Sequence, residues 1–136
     1  MAQVSRHPVS KAVESQMFSL FRNALIHVRT EQEAQELLDD LLSPTEKIML
    51  GKRMAIAYLL DKGYDQRRIH SMLHVSVTTV NSVNFWLKQK GNGYRRAIGY
   101  IRREEKWVKF FDALEKMLRG LLSEKEWRKS IRGSTF

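Results

Sequence analysis

The sequence predicts an all-α protein, a single helical domain built around a helix-turn-helix. Three observations lead there. Apolar residues recur at spacings of three and four along nearly the whole chain. Helix-start signals stand where those stripes begin, in "TEQE", "SPTE" and the Ser76 position. No stretch alternates with the period of two that a strand needs, not even the β-branched run "VSVTTVNSV".

The elements follow in order. Residues 1–9 read as a flexible N-terminus. Val13, Met17, Leu20, Phe21, Ala24, Leu25 and Val28 form one stripe, so a helix is expected from about Ser10 to Val28. Thr30 and Glu33 make a capping box for a second helix, about Glu31 to Leu42. Ser43, Pro44 and Glu46 repeat the signal for a third, which ends at Lys62 and Gly63. Ile48, Met49, Met54, Ala55, Tyr58 and Leu59 are its expected buried residues, and Gly51 would admit a close neighbour. Asp65 caps a short helix, Gln66 to Leu73. Val77, Val80, Val83 and Leu87 then lie on one helical face, with Ser76 as N-cap and "GNG" as the stop near Lys90. A last helix is expected from Tyr94 to about Leu122, bent near Gly99, with a stripe of Trp107, Phe110, Phe111, Leu114, Met117, Leu118 and Leu121. The domain thus covers 10–122, and residues 123–136 form a basic C-terminal tail.

Composition narrows the function. The net charge is +9, and residues 91–136 carry twelve bases against six acids, while residues 31–62 carry seven acids against four bases. A basic half beside an acidic segment points to a polyanionic partner, most often nucleic acid. The chain has no cysteine, which excludes disulfides, zinc-thiolate sites and thiol catalysis and suits the cytoplasm. The longest apolar run, Ala55 to Leu60, is far too short to span a bilayer, so no membrane partner is expected. No phosphate loop and no nucleophile with a positioned base stand out, so an enzyme is not expected. His70 and His74 have no third ligand nearby, so no metal is expected either.

The unit at about 66–90 carries the function. Ile69 and Leu73 face inward, Val75 fills the turn, and Val80 and Val83 anchor the second helix. The residues expected at DNA are Gln66, Arg67, Arg68, Ser76, Val77, Thr78, Thr79, Asn81 and Ser82. The small side chains let a helix enter the major groove, where methyls meet thymine and hydroxyls and amides meet base edges. The arginines suit phosphates or a guanine edge. His74 stands where such turns commonly carry glycine, so it must take a positive φ. Arg95, Arg96, Arg102, Arg103, Lys106 and Lys109 either extend the phosphate contacts or form a solvated face.

The segment "DLLSPTEKIMLGKRMAIAYLLDKGYDQRRIHSMLHVSVTTVNSVNFWLKQKGNGY" resembles the Trp-repressor superfamily, and more closely its YerC/YecD-type branch. The resemblance covers roughly residues 15–100 and implies an intertwined homodimer whose paired helix-turn-helix units read double-stranded DNA. It also implies an effector pocket at Ser43, Arg53, Ser82 and Trp86. In the Trp repressor two arginines sandwich the bound indole. Arg53 matches the first, but Ser82 stands where the second would be, and Val83 and Trp86 replace small lining residues. Tryptophan is therefore not expected as corepressor, and no cofactor is. The leading expectation is a repressor-like, sequence-specific, dimeric transcriptional regulator. A non-specific nucleic-acid-binding protein and a helical protein-interaction module also fit the sequence.

Overall fold

The computed structural model describes residues 6–121. Among them are seven helices and no strand: α1 (Lys11–Ile26), α2 (Glu31–Leu41), α3 (Pro44–Asp61), α4 (Gln66–Leu73), α5 (Val77–Gln89), α6 (Asn92–Arg102) and α7 (Glu105–Leu121). The all-helical expectation holds. The expectations for residues 1–5 and for the tail from 122 onward lie outside the described residues. No helix among the described residues is long and apolar enough to cross a membrane.

The local signals work as side-chain chemistry predicts. Ser10, Thr30, Asp65 and Ser76 each accept a hydrogen bond from the backbone N–H three residues on. At Ser43 the box is reciprocal. Glu46 N–H donates to Ser43 Oγ at 3.2 Å, and Ser43 N–H donates to the Glu46 carboxylate at 3.0 Å. In the Thr30 box the Glu33 carboxylate reaches one residue further back, to Arg29 N–H at 2.9 Å. Gly63, at φ +91, ends α3 with the paired bonds Gly63 N–H to Leu60 O and Tyr64 N–H to Leu59 O, both 3.0 Å.

The described residues group into two compact units that divide between Lys47 and Ile48, inside α3. The first holds α1, α2 and the start of α3. It has no buried residue in either whole helix. The α1 stripe is exposed, with Leu20 at 74% and Met17 at 54%.

The second unit holds the core. Ile56, Ala57, Tyr58 and Leu59 from α3, Ile69 and Met72 from α4, Val75 from the turn, Val80 and Val83 from α5, Ile98 from α6 and Phe111 from α7 pack together. Tyr58 and Phe111 stack with ring centroids 5.0 Å apart. Leu73 packs against the core as expected, and Met72 is buried there beside Ile69. Two expectations of burial and approach need correction. Ile48 and Met49 are exposed, and Ile56 and Ala57 take the buried places, because the core cluster gathers around the C-terminal half of α3. A Cβ on Gly51 would meet nothing within 4 Å among the described residues, so no neighbour approaches that glycine there.

The predicted last helix is two. The chain breaks at Arg103 and Glu104, not at Gly99. The reason is phase. An unbroken helix that buries Ile98 and Ile101 would turn Glu105, Val108 and Asp112 to the same face. The apolar stripe instead continues at Trp107, Phe111, Leu114 and Leu118, roughly 140° away around the helix. The break rotates that stripe back onto the core. At the break, Glu104 N–H donates to Ile101 O and the Trp107 indole N–H donates to the Glu104 carboxylate at 2.9 Å.

Candidate nucleic-acid interface

α4 and α5 are joined by His74, Val75 and Ser76, the three-residue turn of a helix-turn-helix. His74 sits at φ 51, ψ 52, the left-handed conformation expected of it. Side chains from outside the turn hold it. Lys52 Nζ donates to His74 O at 3.2 Å. His70 Nδ1 meets the Val75 carbonyl, so this histidine braces the turn. Val75 itself is 7% exposed and fills the angle between the helices.

α5 is anchored through Val80 and Val83, both buried. Its solvent side presents Thr78, Asn81 and Ser82, and Val77, expected on the anchoring face with Val80 and Val83, lies instead at its edge, 40% exposed. Residues 77 and 81, and 78 and 82, are one turn apart, so the four make one continuous face. None of Thr78, Asn81 and Ser82 has a side-chain hydrogen bond among the described residues. Ser76 and Thr79 differ. Ser76 Oγ accepts from Thr79 N–H at 3.1 Å and lies 2.8 Å from Thr79 Oγ1, so these two hydroxyls serve the helix start first.

The arginines of α4 also part company. Arg67 is exposed, and no partner holds it among the described residues. Arg68 lies 4.4 Å from the centre of the Tyr64 ring and pairs with Glu115 of α7. Gln66, the first residue of α4, is half-buried. Glu115 also accepts from Tyr64 Oη at 2.8 Å and from Arg119 at 3.3 Å. Burial raises the Tyr64 hydroxyl above the ordinary tyrosine value, and Asp112 adds to that, while Arg68 and Arg119 oppose it.

Of the basic residues after α5, the six singled out in the sequence, from Arg95 to Lys109, are mostly engaged within the protein. Arg95 donates to Leu87 O at 2.6 Å and Lys90 O at 3.2 Å, closing the C-terminus of α5 over left-handed Gly91. Arg102 pairs with Asp61 at 2.5 Å. Arg103 lies over Tyr100, Lys106 pairs with Glu104 and Lys109 with Glu105. Arg96 is exposed and has no side-chain partner among the described residues.

Of the expected effector residues, Ser43 caps α3, and Arg53 is exposed without a partner among the described residues. Ser82 is exposed, and Trp86 is half exposed, edge-on to Phe85 at 5.5 Å with Lys90 over its ring. Sequence reading missed Lys52 and Glu115. Neither had a signal within its own helix, since each acts on a residue far along the chain.

The family model described as Trp repressor protein matches residues 16–102, well over half of the chain. The chain belongs to the Trp repressor family. That places it among helix-turn-helix, DNA-binding regulators of transcription rather than in an enzyme family. The matched segment runs from α1 through the last residue of α6, and α7 lies beyond it. Neither a curated protein nor a solved structure matches the chain.

Proposed function

We propose that this Trp repressor family protein is a sequence-specific, repressor-like transcriptional regulator that binds double-stranded DNA as a homodimer. α5 enters the major groove, and the N-terminus of α4 meets the flanking phosphates. The observation that carries the reading is the face of Val77, Thr78, Asn81 and Ser82. It is exposed, small or polar and without side-chain hydrogen bonds among the described residues, on a helix whose other side is fixed in the core. Such a surface offers methyls and hydrogen-bonding groups to base edges at little steric cost. The exposed stripe of α1 supports the second part. A partner subunit would cover it, making an intertwined pair whose two reading heads sit about one helical turn of DNA apart, ~34 Å. Tryptophan is not its corepressor in this reading, because a single arginine, Arg53, stands where the resemblance calls for two. The work would be done in the cytoplasm.

Selection from a randomised duplex library at near-physiological salt tests the proposal. An enriched pseudo-palindrome is the expected result. Binding without sequence preference that fades as salt rises would leave only an electrostatic nucleic-acid binder. On the selected site, Arg67→Ala should cost ~1–3 kcal/mol and relax one position if Arg67 reads a base. Unchanged binding to every sequence would remove that role.

A further inference from the structure

α7 lies wholly outside the segment shared with the family, yet it packs directly on the reading head. Phe111 enters the core against Tyr58, and Trp107, Leu114 and Leu118 pack beside it. One turn beyond Phe111, Glu115 faces the start of α4. Its side chain is 13% exposed, and that of Arg68 is 22%. Tyr64 donates to one carboxylate oxygen, and Arg68 and Arg119 donate to the other. The guanidinium of Arg68 is thus stacked on an aromatic ring, paired with a carboxylate and largely shielded from water. Arg67, one residue earlier, is exposed.

An arginine at the N-terminus of the first helix of a helix-turn-helix is placed for the phosphate backbone. We propose that Glu115 holds Arg68 away from the DNA, so that α7 is a built-in attenuator of nucleic-acid affinity and the α4 contact falls to Arg67 alone. This rests on the DNA-binding reading above. The physics is competition for one guanidinium. The carboxylate is local, shielded and bonded on both oxygens, so salt screens it little, whereas a phosphate contact must be made at the cost of breaking it.

The test is the salt dependence of binding to a fixed duplex. Each phosphate contact adds about 0.9 to the slope of log K against log salt. Glu115→Gln keeps an acceptor for Tyr64 but loses the charge that holds Arg68. It should tighten binding at low salt and steepen the slope by about 0.9. Asp112→Asn, on the same helix, removes the same charge without freeing Arg68 and should leave the slope unchanged. Arg68→Gln alone should also leave it unchanged, and in the double variant Arg68→Gln should abolish the gain from Glu115→Gln. Thermal melting checks each variant's fold. If Arg68→Gln lowers the slope by about 0.9, Arg68 already contacts DNA and the proposal fails. It fails too if Glu115→Gln lowers the melting temperature and leaves the slope alone, since the pair is then only a brace. Equal slopes in wild type and Glu115→Gln sink the attenuator and leave DNA binding standing. No duplex binding by either protein sinks both.

Discussion

α1 and the head formed by the later helices are both amphipathic, and their fates differ. In the head, Ile56, Leu59, Ile69 and Val80 are fully buried. In α1, Val13, Met17, Leu20, Phe21 and Leu25 follow an equally regular spacing, and every one is at least 45% exposed. An apolar stripe states that a helix has a face to bury. It does not state what buries it. In the head the partner is the same chain, within reach of short turns. For α1, no described residue of its own unit does so, and a homodimer is the proposed answer.

That contrast can be broken in several places. The largest effect belongs to the head. Leu59→Ala should cost ~2–5 kcal/mol, since a fully enclosed site collapses poorly around a lost side chain. Urea denaturation reads it, and a cost within ~0.5 kcal/mol would show a looser core than the packing implies. Next comes α1. If a second copy covers Leu20, Leu20→Asp should weaken the dimer by about ten- to a hundredfold, since a buried leucine contributes ~1.5–3 kcal/mol. Sedimentation over a range of concentrations would show it. A variant that stays as dimeric as the wild type would remove this face from the interface, and a monomeric wild type would remove the interface itself.

A smaller effect is expected at the turn. His74 holds a left-handed conformation that an L side chain adopts at a cost of about 1 kcal/mol, so His74→Gly should recover most of that as stability. Some will be returned as entropy of the unfolded glycine. A large loss would mean that the imidazole has a partner in the functional protein. The smallest effect is at the start of α3. Backbone and hydroxyl hydrogen bonds from Ser43 hold the Glu46 carboxyl below its ordinary value. A carboxylate with a lowered pKa stabilises fully at neutral pH, and that help is lost as pH falls through the lowered value. Melting curves of the wild type and Glu46→Gln should therefore differ most near neutrality and converge in acid. Parallel curves at all pH values would show that the charge of the box contributes nothing.

Much of this protein was legible because the forces involved act within four residues. The caps at Thr30, Ser43, Asp65 and Ser76, the left-handed glycine after α3 and the left-handed histidine in the turn all follow from local backbone chemistry. So does α5, where β-branched content suggests a strand and spacing overrules it. The break between α6 and α7 was also present in the sequence, as a slip in the phase of the stripe after Ile101, whereas Gly99 lies inside α6.

What the sequence by itself determined, then, is where helices start and stop, the helix-turn-helix and the small polar face of its second helix. Those depend on hydrogen bonds and side-chain periodicity that travel with the local chain. Only the tertiary structure decided that Ile56 and Ala57 are core while Ile48 and Met49 are not, that Arg95 closes α5, and that Lys52 holds the turn. It alone paired Arg68 with Glu115, 47 residues away. A charge carries no mark of its distant partner, so which of two adjacent arginines is left for DNA is settled by the packing of a helix whose sequence nowhere mentions the other.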